Sequence, residues 1–144
     1  MQTKPLKIGF ICTGNSARSQ IAEGFAKHFS ILYNKKVEVY SAGSNSTGYI
    51  HPIALEVMKE IGIDISDQYS KGLEEIPLKE LDLIITLCDH AAETCPFVPG
   101  AKIEHWGLPD PAKVSSPYPV AKLNAFRKVR DQIKEKVETL IKSL

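Results

Sequence analysis

Short apolar runs alternate along the chain with stretches of helical period. Ile8-Gly9-Phe10-Ile11 is an apolar run that stops at Cys12, and a short small-polar loop leads from it to Arg18. Ile21, Phe25 and Phe29 then recur four residues apart, which predicts a helix from about Ser19 to Leu32 with one apolar stripe. Val37-Glu38-Val39-Tyr40-Ser41 reads as a β-branched strand ending in Ala42-Gly43, and the Ser-, Asn- and Gly-rich stretch Gly43 to Gly48 reads as a loop. His51-Pro52 opens a second helix, with the proline tolerated in its first turn. Its predicted inner face is Ile53, Val57 and Ile61, and Gly62 is its stop. Gly72 to Lys79 is irregular, with room for one helical turn broken by Pro77. Leu81 to Leu87 is a continuous apolar run of the kind found in strands buried on both faces, and it ends at Cys88. A shorter strand, Lys102 to Trp106, precedes Gly107-Leu108-Pro109-Asp110-Pro111. After the loop Ser115 to Pro119, Phe126, Val129, Ile133, Val137 and Leu140 mark one stripe of a last helix.

Strands alternating with helices predict an α/β fold: a single doubly wound domain over residues 1–144, with a four-stranded parallel sheet and helices on both faces. No repeat, low-complexity tract or linker divides the chain. Ligands of such sheets sit outside the carboxyl ends of the strands. Cys12, Cys88 and Asp110 all follow predicted strands, so they are expected to meet at that edge.

The order strand, tight loop, helix across Cys12 to Ser19 points to an oxyanion site. Backbone N–H groups of Thr13, Gly14, Asn15, Ser16, Ala17 and Arg18 would converge at a helix N-terminus and hold a tetrahedral anion with help from the helix dipole. The phosphate loop of ATP-binding proteins needs G-x-x-x-x-G-K-[ST], which is absent here. Arg18 can fork onto two oxygens of the anion. A helix N-terminus and a guanidinium lower a thiol pKa from ~8.5 into the range of roughly 3.5–7.5, so Cys12 is expected to be a thiolate, with the Ser19 hydroxyl as its donor. A lone cysteine at a strand end is ordinarily a structural residue. The C-x5-R-S spacing between strand and helix favours a nucleophile instead.

Bulk properties narrow the field. A net charge of +1 gives no reason to expect nucleic acid or an anionic membrane as partner. The start, Met1 to Pro5, leads straight into the first strand without a signal-peptide core. Three cysteines suit reactive thiols in a reducing cytoplasm better than a secreted disulfide framework. Cys88 and Cys95 lack zinc-type C-x2-C spacing, and no metal is expected.

Taken together, several motifs resemble the thioredoxin-coupled arsenate reductases, which share the low-molecular-weight protein tyrosine phosphatase fold. They are Cys12 through Gln20 with Ala22-Glu23-Gly24, Tyr40-Ser41-Ala42-Gly43, Thr86-Leu87-Cys88, Cys95-Pro96, Glu104-His105-Trp106-Gly107 and Asp110-Pro111. The resemblance covers the chain from about Lys7 onward. It implies that Cys12 attacks arsenate, for which phosphate and sulfate are analogues, while Asp110 protonates the departing oxygen. Cys88 then attacks Cys12, arsenite leaves, and Cys95 closes a Cys88–Cys95 disulfide that thioredoxin reduces. No tightly bound cofactor is implied, and a monomer is expected. Chemistry points the same way: reducing As(V) to As(III) takes two electrons, which a thiol pair supplies on becoming a disulfide.

Two departures from the family pattern stand out. Ala17 replaces a second loop cysteine common among relatives. Lys71 stands where some relatives have an aspartate beside a monovalent cation held at positions matching Asn15, Glu23 and Ser41, so its ammonium is expected to take the cation's place. The loop Ser115–Pro119 is longer than usual and has no assigned role.

Cys88 and Cys95 are seven residues apart. On an intact helix that is about 10.5 Å between Cα atoms, whereas a disulfide cannot close beyond ~7 Å. If Asp89 to Thr94 is helical when reduced, it must unwind on oxidation. The four histidines read as unremarkable, with His90 a solvated surface residue. Two other classes stay open: a low-molecular-weight phosphatase working through a cysteinyl-phosphate, with Cys88 and Cys95 inert, or a non-enzymatic anion-binding or redox-sensing protein. The reductant is open between thioredoxin and a glutaredoxin system. Ala112 after Asp110-Pro111, where phosphatases of this fold usually carry an aromatic, counts against the phosphatase.

Overall fold

A strand that is buried on both faces needs apolar residues at consecutive positions, and the first strand has them. In the computed structural model, which describes residues 4–89, 91 and 98–144, β1 spans Leu6–Cys12. Phe10 and Ile11 point to opposite sides of the sheet and neither is accessible to solvent. The same holds for Ile84 and Ile85 of β3 (Leu83–Thr86), so both faces are covered. β2 (Val37–Gly43) and β4 (Lys102–His105) complete a four-stranded sheet in the order β2-β1-β3-β4, every pair parallel. Register fixes the carboxyl edge: Cys12 lies opposite Gly43, Ile11 opposite Thr86, and Thr86 opposite His105.

Three helices can be given bounds among the described residues: α1 (Arg18–Leu32), α2 (Pro52–Lys59) and α3 (Pro119–Lys142). α1 packs on β1, β2 and α3, and α3 also lies against α2. None of the helices among the described residues is long and apolar enough to cross a membrane.

Three details depart from the sequence pattern. α2 buries Ala54, Val57 and Met58, while Ile61 is 39% exposed and lies beyond the helix end. The last turn explains this. The Ile61 and Gly62 amides bond back only three residues, to Met58 and Lys59 carbonyls, at 3.2 and 3.0 Å. That tighter winding rotates Ile61 off the stripe, and Gly62 then ends the turn at φ 81°. In α3 the stripe closes with Ile141, four residues after Val137, and leaves Leu140 half-buried. Between α2 and β3, two short 3-10 turns, Leu73–Glu75 and Leu78–Glu80, flank Pro77 where one was expected. The expected oxidation switch falls largely on His90 and residues 92–94, which with Cys95 lie outside the described residues; Asp89 and Ala91 are helical.

α2 is tied to α3 by one carboxylate. Glu60 accepts from Arg127 Nη2 at 2.6 Å and from Arg130 Nη1 at 2.9 Å, and Arg130 Nη1 also donates to the Val57 carbonyl at 2.9 Å. The Arg127 hydrogen bond, with that of Arg130, holds Glu60 below its ordinary pKa of 4.5. A depressed carboxylate pKa stabilises the fold above that value, and the contribution disappears as pH falls through the folded pKa. Glu60→Gln is therefore expected to lower the melting midpoint at pH 7, and the two melting curves should converge below pH 4.5. Equal midpoints at pH 7 would remove the clasp from the account.

Candidate active site

The loop from Cys12 to Ala17 runs from the end of β1 into the first turn of α1. Each of its six carbonyls accepts a bond from outside the loop. Cys12, Thr13 and Gly14 accept from the amides of Ser44, Asn45 and Thr47 (3.2, 2.9 and 3.0 Å), Ser16 and Ala17 from those of His51 and Ile21 (2.8 and 2.9 Å). The Asn15 carbonyl accepts from Gln20 Nε2 at 3.1 Å. A planar trans peptide sets C=O and the following N–H antiparallel, so carbonyls turned outward leave the amides of Thr13 to Arg18 turned inward. One of them, Asn15 N–H, donates to Cys12 Sγ at 3.3 Å. Ala17 offers no side-chain cap to α1, and the first amides of a helix lack intrahelical acceptors. An oxyanion in the loop would satisfy them.

One side chain holds this loop open. Asn15 sits at φ 48°, in the left-handed region that Asn tolerates better than most residues. Its amide is buried and fully used: Nδ2 donates to Ser19 Oγ (2.8 Å) and Ser41 Oγ (3.0 Å), while Oδ1 accepts from Gln20 Nε2 and the Lys71 amide, both at 2.9 Å. Ser19 Oγ accepts from Asn15, and with its own proton free to donate it lies 2.8 Å from Cys12 Sγ, the geometry by which it can serve a thiolate. Ser19 Oγ thus lies within hydrogen-bond reach of Cys12 Sγ and is held there by Asn15. The Ser41 hydroxyl donates to Glu23 Oε1 at 2.5 Å, and that oxygen also lies 3.6 Å from Lys71 Nζ. Gly43 is needed beneath the loop, since a Cβ there would come within 2.4 Å of the Thr13 carbonyl oxygen and 2.9 Å of the Asn15 nitrogen.

Arg18 is 8% exposed and is fixed by the β4–α3 connection: Nη1 donates to the Leu108 carbonyl at 2.9 Å, and Nη2 lies 3.7 Å from Asp110 Oδ2. Asp110 Oδ1 accepts from the Ala112 amide at 3.0 Å, which leaves its other oxygen toward Arg18. Cys88 is buried across the cleft, with Sγ 3.2 Å from Thr13 Oγ1 and accepting from the Ala91 amide at 3.4 Å. Cys12 and Cys88 are both free thiols. Cys12, Arg18, Cys88 and Asp110 thus line one open cleft of ≈ 870 Å³ at the carboxyl edge of the sheet, as the topology required.

The comparisons bear on this arrangement. Residues 7–144 match the family "Low molecular weight phosphotyrosine protein phosphatase". The chain is 46% identical, over 92% of its length and 92% of the relative's, to an arsenate reductase of Halalkalibacterium halodurans. The chain belongs to this phosphatase family, on its arsenate reductase branch. Among solved structures, it resembles an arsenate reductase in the phosphate-binding state, with TM-score 0.80 and 40% identity over 96% of this chain and 98% of that one. It also resembles a thioredoxin-dependent arsenate reductase of Corynebacterium glutamicum, with TM-score 0.78 and 29% identity over 99% of this chain and 63% of that one.

Several residues of this family site escaped the sequence reading. Tyr49, His51 and Lys113 line the cleft. His105 was passed over with the other histidines, yet its Nδ1 lies 2.9 Å from Thr86 Oγ1 and its Nε2 lies 3.0 Å from Asp89 Oδ1, beside Cys88. Partners that come from distant strand ends leave no periodic signal. The Lys71 ammonium reaches the Asn15, Glu23 and Ser41 cluster, where it donates to the Tyr69 carbonyl at 2.9 Å and faces the Tyr69 ring at 4.5 Å. Among the described residues no cluster of three His, Cys, Asp or Glu side chains could hold a metal ion.

Proposed function

We propose that the protein is an arsenate reductase with thioredoxin as electron donor. The observation that carries the reading is the second buried free thiol, Cys88, in the same cleft as Cys12 and beside Thr13 of the anion loop. A phosphatase cleft has no use for it. Arsenate binds to the inward amides of Thr13 to Arg18 and to the Arg18 guanidinium. Cys12 attacks arsenic, and Asp110 donates a proton to the oxygen that leaves. The Cys88 thiolate then attacks Cys12 Sγ. The Cys12–arsenic bond breaks with its electron pair going to arsenic, so As(V) becomes As(III) and a Cys12–Cys88 disulfide forms. Cys95 attacks Cys88, which returns Cys12 as a thiolate and leaves Cys88–Cys95 for thioredoxin to reduce.

Thioredoxin-coupled NADPH oxidation tests this. Wild-type protein is expected to show arsenate-dependent turnover that disappears in Cys95→Ser. No turnover by the wild type, together with p-nitrophenyl phosphate hydrolysis indifferent to Cys95, would instead assign a phosphatase.

A further inference from the structure

We propose that His51 is a substrate-positioning residue of this cleft, which presents a neutral imidazole N–H to the bound oxyanion alongside Arg18. The inference rests on the oxyanion reading of the site and adds a group to it. Three contacts hold the residue, two of them through its ring. The His51 backbone amide donates to the Ser16 carbonyl at 2.8 Å, which ties the residue to the anion loop. Its Nδ1 accepts the Ile53 amide at 3.1 Å and caps α2. The ring packs on Phe126 of α3 with centroids 4.7 Å apart.

The tautomer follows from the cap. A nitrogen that accepts an N–H carries no proton, so the single proton of the neutral ring is on Nε2, on the ring edge turned away from the cap. His51 lines the cleft with Cys12, Arg18 and Asp110. Burial first, and then the Lys122 ammonium on α3, push the imidazole below its ordinary pKa against the opposing pull of Asp110. The group offered at neutral pH is therefore an uncharged donor. A capping residue with no part in binding would serve as well as Asn, a short side chain that caps helices but cannot reach into the cleft.

The experiment compares His51→Asn with His51→Ala. Two readouts are taken: inorganic sulfate affinity by NMR titration, and KM and kcat for arsenate. His51→Asn is expected to keep the α2 cap, and so melt above His51→Ala, and to lose about tenfold in sulfate affinity, the loss appearing in KM more than in kcat. His51→Ala should lose the same affinity and also melt lower. Wild-type sulfate affinity and KM in His51→Asn would overturn the proposal and leave a cap alone. Sulfate binding does not depend on reduction, so a weaker sulfate complex in a protein that fails to reduce arsenate would refute the reductase reading and spare this one.

Discussion

Arg18→Lys is expected to lower kcat/KM for arsenate by about a hundredfold to a thousandfold. The guanidinium does two things at once that an ammonium cannot. Its Nη1 is committed to the buried Leu108 carbonyl, which fixes the side chain across the cleft, while Nη2 lies beside Asp110. A planar fork with several donors can hold that anchor and still face two oxygens of a tetrahedral anion. A lysine at the same position either satisfies Leu108 or faces the anion. The loss should appear in both sulfate affinity and arsenate turnover, with a stability cost of about 1 kcal/mol for the orphaned carbonyl. Turnover within roughly threefold of wild type would show that the loop amides alone hold the substrate.

Asn15→Ala is expected to be the most destabilising single change in the site. It removes one amide and leaves two buried serine hydroxyls, the Gln20 side chain and the Lys71 amide short of a partner. Unpaired buried polar groups in a shared network cost more than an average hydrogen bond, and about 3 kcal/mol is expected in all. For a chain of this size that lowers the melting midpoint by roughly 8 °C. Activity falls with it, because Ser19 loses the contact that aims its proton at Cys12. Asn15→Gly separates the causes. Glycine adopts φ 48° without strain, so it should recover the backbone part, about 1 kcal/mol, and none of the activity. Full recovery by glycine would mean that only the backbone conformation matters.

The parts of the fold that were legible in the sequence are those set by local pattern. Continuous apolar runs gave β1 and β3 within one or two residues at each end, because a strand covered on both faces has no alternation to misread. The edge residues Cys12, Cys88 and Asp110 could be placed together because parallel topology sends every strand end to one side. Ile61 and Leu140 were misplaced for a local reason: one lies past a tightened helical turn, and the other is a neighbour of the true stripe position Ile141. His51 could be read from sequence only as a helix start. Its place in the cleft comes from α2 folding back over the anion loop and from Phe126, 75 positions later in the chain, packing behind it. The fourfold use of the Asn15 amide has the same origin, since Ser41 and Lys71 reach it from other segments.

The central claim is that the reducing electrons come from the protein's own thiols. Disulfide mapping by mass spectrometry, after reduced protein receives one equivalent of arsenate without thioredoxin, tests it most directly. A two-electron relay predicts a Cys88–Cys95 disulfide with Cys12 free in the wild type. In Cys95→Ser it predicts a Cys12–Cys88 disulfide. Arsenate that leaves all three thiols reduced in the wild type would contradict the account.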